Sequence, residues 1–575
     1  MVIRTLALAT ALASVTAVAL EPGSRVDNFS LLDHRGTAHE LYYLSDKNAV
    51  VILAQGGDCA SDEATLASLA SSRDAFAGQG VEFLVLDSSR AGGAADDRFA
   101  ASDAQGFAVL LDETQIIGES LGLNRAGEVL VIEPQGWSLS YRGSAGEPLQ
   151  RALGAVLDGA GVEQTRTEVG GCAMAFPERE RRAAHAQISY SDVIAPMLID
   201  ACVTCHRPGG IGPWAMSEYN MVRGFAPMIR EVVRTRRMPP WHADPRHGSF
   251  SNDRSLTAEQ ARTLVHWIEA GAPRGDGADP LATFEHDWPE WSLGKPDLIV
   301  DLPAFDVPAT GVVEYMYPTV KNPLDHDVWV RAAEIIPGSR EALHHVITSF
   351  GVPDPAARRG LSREGSLGGY VPGADADVFP AGTGVLLPAD AVFRLQMHYT
   401  TFGRAVTDRS RMGLYFHDTP PEHELQTTIL MNPRLRIPPH AKAHSEFAET
   451  ELARDILVYN LLPHAHYRGR ASQFKVVYPD GAQELLLSVP NYDFNWQTTY
   501  ELSEPKRLPA GTRIVHTTTW DNSAQNPANP DPTREVPWGE QSWDEMLFGA
   551  IRWRYLTDTE SAPGAELAQQ PGERR

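Results

Sequence analysis

Near the middle of the chain stands Ala201-Cys-Val-Thr-Cys-His-Arg-Pro208, in which two cysteines three positions apart are followed directly by a histidine. Each thiol can add across a haem vinyl group, and two intervening residues place both sulfurs along one haem edge. The next residue then falls beneath the iron as an axial ligand, which is the attachment pattern of a c-type haem. Cys202, Cys205 and His206 are therefore expected to hold one haem covalently. No other feature constrains the chain as much, because it fixes a small cofactor-bearing unit between a long N-terminal segment and a still longer C-terminal one. At 575 residues the sequence exceeds what one hydrophobic core can organise, and three or four units are expected.

Residues 189–280 around the motif read as helical. Tyr190 to Ala201 runs as a helix straight into Cys202. A second helix opens at Thr257, which makes a capping-box pair with Gln260, and Ala261, Leu264, Val265 and Ile268 recur at helical spacing. Between them, Arg236-Arg-Met-Pro-Pro-Trp241 fixes Met238 ahead of two prolines, a setting suited to the sixth iron ligand. A thioether there stabilises ferrous iron and raises the potential. Met216, Met221, Met228 and His242 compete for that role, and the arginines at 230, 234, 236 and 237 suit either haem propionates or a solvated helix face. The stretch resembles a small all-α cytochrome c.

Met1 to Ala19 carries Arg4, an apolar run from Leu6 to Val18 and a small-residue Ala17-Val-Ala19 end, the pattern of a secretory signal peptide cleaved after Ala19. No later segment has the roughly 18 uninterrupted apolar residues of a spanning helix, so no membrane span is expected in the mature chain. A periplasmic or secreted location agrees with the haem motif, since the bacterial families it resembles complete c-type attachment outside the cytoplasm. The net charge of −24 speaks against nucleic acid as a partner.

Residues 22–165 alternate strand and helix signals, with a buried strand over Asn48–Gly56 and a second strand over Val81–Ser89 around a helix over Ser61–Phe76. Such alternation predicts an α/β unit with a central sheet. Cys59 follows the first strand where the helix begins, and in this the segment resembles the thioredoxin and peroxiredoxin (redoxin) superfamily. The resemblance implies a thioredoxin-like domain whose chemistry has degenerated. Asp62 stands where a C-x-x-C pair has its second cysteine, and Ile52 and Gly56 stand where the peroxiredoxin signature needs proline and threonine. Cys59 is either a reactive thiol at a helix start or a structural one. Four cysteines less the two on the haem leave Cys59 and Cys172, and an oxidising compartment allows a disulfide between them. Residues 166–188, with the charge run Glu178-Arg-Glu-Arg-Arg182, read as a linker, and 561–575 as a disordered tail.

The half from 290 to 560 is rich in short strands bounded by Pro and Gly, which favours β-sandwiches. Its histidines cluster in three places: Glu341-Ala-Leu-His-His-Val-Ile347, Leu395-Gln-Met-His-Tyr399 and Leu462-Pro-His-Ala-His-Tyr-Arg-Gly469. On a strand, His464 and His466 point to one face because side chains alternate with period two. Adjacent His344 and His345 point to opposite faces of an ideal strand and need a bulge or a strand end to share a metal. Imidazole suits copper, and a thioether selects copper over zinc or magnesium.

These motifs resemble the copper type II, ascorbate-dependent monooxygenases, the family of peptidylglycine α-hydroxylating monooxygenase and dopamine β-monooxygenase. The resemblance implies two jelly-roll-like β-sandwich subdomains, here 290–428 and 429–560, each holding one copper ion. It puts His344, His345 and His398 on the electron-storing copper. It puts His464, His466 and Met546, in Asp544-Glu-Met-Leu-Phe548, on the oxygen-binding copper. One departure concerns the substrate: the peptide-amidating branch has an arginine two residues before the His-x-His pair, where this chain has Leu462. Arg468 and Arg470 lie nearby but would need a different geometry.

As a whole the chain resembles bacterial proteins joining a redoxin-like domain, a cytochrome c and a copper monooxygenase. The resemblance implies hydroxylation of a C–H bond of an unidentified organic substrate with dioxygen, with two copper ions and one haem c as cofactors. The electron donor would be ascorbate or a redox protein. A non-catalytic haem and copper protein for electron transfer or copper handling, and a thiol peroxidase using Cys59, are the alternatives.

Overall fold

A computed structural model of the chain describes residues 20–56, 63–89, 99–285, 288–357, 360–373, 376–561. The expected signal peptide, Cys59 and nearly all of the expected tail lie outside the described residues.

The first unit is built on five strands: β1 (Ala49–Gln55), β2 (Val81–Asp87), β3 (Ala108–Leu111), β4 (Glu128–Glu133) and β5 (Ser138–Ser144). They lie in the order β3-β2-β1-β4-β5, parallel from β3 to β1 and antiparallel across β1, β4 and β5. Helices α1 (Glu63–Ala75), α2 (Ile116–Ser120) and α3 (Glu147–Leu157) accompany the sheet. Every residue of β1 is buried because alternate side chains feed two separate cores, Val50, Ile52 and Ala54 in one and Ala49, Val51 and Leu53 in the other. The α/β unit with a central sheet, expected from the alternation, is present.

Two short helices follow, α4 (Pro177–Glu180) and α5 (Arg182–His185), and then α6 (Ala195–Ala201), α7 (Tyr219–Arg234) and α8 (Ala258–Glu269). The Thr257–Gln260 capping box opens α8 in both directions. The apolar residues of α8 serve two cores: Leu264 and Trp267 pack with Leu198, Val222 and Ile229, whereas Ala261 and Val265 join the core of the α/β unit. A helix wedged between two units needs a wider apolar arc than a surface helix does. Arg230 and Arg234 reach Asp27 of the α/β unit, and Arg234 also donates to Ser120.

Residues 241–251 leave the helices and join the C-terminal half. The Trp241 ring meets Phe250 and Tyr500 at 5.9 and 4.9 Å, and the Ser251 amide donates to the Glu501 carbonyl.

That half holds two pairs of packed sheets. In the first pair, β6 (Thr319–Lys321), β8 (Leu343–Pro353), β9 (Leu361–Tyr370) and β11 (Val392–Tyr399) run in the order β6-β11-β8-β9. Its facing sheet centres on β7 (Val328–Ile336) between β10 (Thr383–Leu387) and β12 (Arg411–Phe416). The second pair comprises β13 (Gln426–Met431), β14 (His444–Glu451), β15 (Ile456–His464), β16 (Gly469–Val477), β17 (Gln483–Val489), β18 (Tyr500–Leu508), β19 (Arg513–Trp520) and β20 (Phe548–Tyr555). Its sheets are ordered β13-β20-β15-β18 and β14-β19-β16-β17. The two sandwiches are joined by a two-point ion pair from Arg552 of β20 to Asp377, at 2.6 and 2.7 Å. Among the described residues no helix is long and apolar enough to cross a membrane.

Candidate metal centre

The three histidines of the first sandwich meet because the β8–β11 ladder slips by one residue. Leu343 pairs with Tyr399 and His345 with His398, which leaves His344 as the extra residue of a β-bulge. The bulge resolves the difficulty posed by adjacent histidines on one strand, since it lets both rings face His398. Ring centroids lie 5.7 Å apart for His344–His345, 4.9 Å for His344–His398 and 5.2 Å for His345–His398. One ring nitrogen from each comes within 4.8 Å of the others, close enough for all three to ligate one ion.

In the second sandwich β15 ends at His464, and His466 follows with its ring 5.1 Å away. His464 is in register with Phe548 of β20, two residues after the buried Met546. The histidine pair and the methionine are thus brought to the same end of this sheet.

The two histidine groups share a wall. Phe494 stacks on His344 at 4.8 Å and 13° between planes, and its centroid is 6.0 Å from that of His466. On the other side, Tyr315 lies 4.4 Å from His398, 5.1 Å from His345 and 6.2 Å from His466. Tyr315 is held from the second sandwich: its amide donates to Gln541 Oε1 and its hydroxyl is 2.9 Å from Ser542 Oγ.

All five histidines are buried, and burial pushes each pKa down, to about 4 for His344 and His464 and about 3 for His398. His345 and His466 fall well below the ordinary value for the same reason, with neighbouring imidazoles adding to the effect. The rings are therefore neutral at physiological pH and keep a lone pair for a metal. Several of those nitrogens have no protein partner: both of His344, Nδ1 of His345 and His398, and Nε2 of His466. Leaving a buried polar atom unpaired costs about 1–3 kcal/mol, so so many in one place fit sites built for ions.

Second partners fix which nitrogen is available. His345 Nε2 is 3.2 Å from Gln396 Oε1, His464 Nδ1 is 2.8 Å from Gln497 Oε1, and His466 Nδ1 is 3.3 Å from the Asp544 carbonyl. Donation at those atoms leaves Nδ1 of His345 and Nε2 of His464 and His466 as ligating atoms. Glu545, fully buried and pushed up to about 7 mainly by burial, accepts from the amides of His466 and Arg468 and from Trp520 Nε1.

Arg468 is wholly buried and spends its guanidinium on Asn522 and the Trp543 carbonyl, while Arg470 turns to the Lys442 carbonyl. Arg468 Nη2 keeps no partner of its own. Tyr315, Phe494 and Gln497 carry no motif of their own; Glu545 lies inside the Asp544-Glu-Met-Leu-Phe548 element, in which only Met546 was singled out.

In the helical unit, Cys202 follows directly on α6, and neither Cys202 nor Cys205 is in a disulfide. Burial pushes the Cys202 thiol up to about 12. His206 Nδ1 lies 3.0 Å from the Trp214 carbonyl, which leaves Nε2 to ligate. Met238 is half-buried just beyond α7, Met216 and His242 are buried, and Met228 is exposed. Cys172 is disulfide-bonded; its expected partner, Cys59, lies outside the described residues. The backbone of Gly373, at φ 79°, passes so close to the haem motif that a Cβ on it would sit 3.7 Å from Cys205 Sγ and 3.6 Å from Trp496.

No family model matches the chain. Over 179 residues it is 27% identical to DBH-like monooxygenase protein 2 of Homo sapiens, a match covering 28% of this chain and 36% of that protein. The chain thus spans little more than a third of the length of this relative. Among solved structures it is similar to a hypothetical protein from Sinorhizobium meliloti (23% identity, 27% of this chain, 94% of that one, TM-score 0.24). A second is the thioredoxin domain of a thiol-disulfide oxidoreductase from Bacteroides vulgatus (17% identity, 24% of this chain, 99% of that one, TM-score 0.22). At such TM-scores these likenesses add nothing to the strand order given above.

Proposed function

We propose that the chain is a copper-dependent monooxygenase that hydroxylates a C–H bond of an organic substrate, with electrons supplied through a c-type haem on the same chain. The observation that carries this reading is the pair of buried histidine groups with orphaned nitrogens, facing each other across Phe494 and Tyr315. The similarity to the human DBH-like monooxygenase supports the reaction class.

The overall change inserts one oxygen atom into the C–H bond and releases the other as water, consuming two electrons and two protons. Two copper ions would supply the one-electron and oxygen chemistry, one held by His344, His345 and His398 and the other by His464, His466 and Met546. Gln396 and Gln497 hold their imidazoles in the ligating tautomer, and Glu545 anchors the backbone of the His-x-His segment. Phe494 and Tyr315 line the space between the groups. Cys202, Cys205 and His206 would bind the haem, with Met238 as the proposed sixth ligand. Cys205 and Trp496 both lie against the backbone of Gly373, so the residues that would hold the haem border the copper half. With Leu462 where the peptide-amidating branch has its arginine, the substrate need not carry a carboxylate.

Met546→Ile tests the assignment. The variant should keep copper at the three-histidine group and lose substrate-stimulated oxygen uptake with a chemical reductant. Undiminished uptake would remove Met546 from the oxygen site. Copper binding by the unaltered protein with no uptake on any substrate would favour an electron-transfer or copper-handling role.

A further inference from the structure

A second cluster of potential ligands lies far from the histidines already discussed, where the α/β unit, the linker and the helical unit meet. Glu119 comes from α2, Glu178 from α4, His185 from the end of α5 and His266 from α8. The ligating atoms of Glu178, His185 and His266 all fall within 4.8 Å of one another. The two imidazoles stack at 4.2 Å and 7°, which brings their edges side by side. Glu119 Oε2 is 2.8 Å from His266 Nε2, and Glu178 Oε2 is 3.4 Å from His185 Nε2. Both histidines and the Glu119 carboxylate are buried, and Glu119 Oε1 has no partner.

We infer that Glu119, Glu178, His185 and His266 form a binding site for a divalent transition metal, with zinc the best fit. The carboxylates of Glu119 and Glu178 balance the double positive charge, and with the two imidazoles they make a nitrogen and oxygen donor set of the kind zinc takes. The ion would give Glu119 Oε1 the partner it lacks. It would also clip the 177–185 linker between the two units, a structural role that requires no open coordination position. This inference does not depend on the copper reading.

The test is the zinc content of the full-length, haem-attached and copper-loaded protein after exposure to zinc and removal of loosely bound ions. The protein should retain a single zinc per chain. Glu119→Gln, His185→Ala and His266→Ala should each lose it, with haem absorbance and copper content unchanged. A His344→Ala, His464→Ala double variant should keep it; loss there would assign the ion to the copper ligands and overturn the inference. Absence of zinc in the unaltered protein, or its retention in all three cluster variants, would also overturn it. Should His266→Ala, in the middle of α8, fail to fold, the conservative Glu119→Gln decides alone, read by the visible absorption of cobalt substituted for zinc.

Discussion

Gln497 stands 33 residues from His464 and touches it through a single contact at 2.8 Å. That contact fixes which imidazole nitrogen faces the metal space, and it has no counterpart in the local sequence. Removing such an outer partner commonly costs 10–100-fold in metal affinity. Gln497→Leu should therefore weaken copper binding at the His464 and His466 group by about that factor and leave the three-histidine group unchanged, as read by chelator competition. Equal affinity at both groups would deny Gln497 its role. The ligands and their orienting partners differ in legibility for a physical reason. His464 and His466 could be found because strand alternation puts i and i+2 on one face. Gln497 and Phe494 come from the one loop between β17 and β18, and Tyr315 comes from the other sandwich; only tertiary packing brings them to the histidines.

The most consequential single element is the bulge in β8. The sequence demanded a bulge or a strand end at His344-His345, and the slip between Leu343 and His345 supplies the first. Which of the two it would be could not be read, because bulges depend on ladder pairing. The α8 helix shows the converse: its cap and apolar residues were legible, but its division between two cores was not.

The strands β8, β11 and β15 and the residues just after β15 bury five imidazoles in neutral form, and stability must follow. Five histidines have folded pKa values below the ordinary 6.5. The unfolded chain takes up those protons as the pH falls through 6.5, while the folded chain does not. Above 6.5 the groups carry no penalty; from there towards 4 each removes up to about 1.4 kcal/mol per pH unit. Glu501 and Glu545, both pushed up to about 7, act in the opposite sense, favouring the fold as the pH falls from 7 towards 4.5, but they are fewer. The urea midpoint of the metal-free protein should fall between pH 6.5 and 5. A constant or rising midpoint would contradict the buried, neutral imidazoles.

Across the whole molecule, the facing of the two sandwiches depends on few polar links. Arg552 and Asp377 are mostly buried and bonded at two points, so removing one partner strands the other charge. Asp377→Ala should cost about 3–5 kcal/mol in urea unfolding and weaken copper retention at both groups, since the shared wall of Phe494 and Tyr315 spans the interface. A loss below ~1 kcal/mol, the range of an exposed pair, would mean that the sandwiches are held by other contacts. The α/β unit is tied in as well, through Tyr43 donating to Asp521 and through the Lys442–Asp46 pair. Its sheet was legible from the alternation of its strands and helices. Its docking against the C-terminal half was not, because single polar contacts between remote surfaces leave no periodic trace.

The most direct test is the copper content of the full-length protein and of two variants, His398→Ala and His466→Ala, determined together with copper spectroscopy. Two ions per chain are predicted for the unaltered protein and one for each variant, with a different spectroscopic signature surviving in each. Fewer than two ions in the unaltered protein, or two in both variants, would contradict the assignment of these histidines to a pair of copper centres.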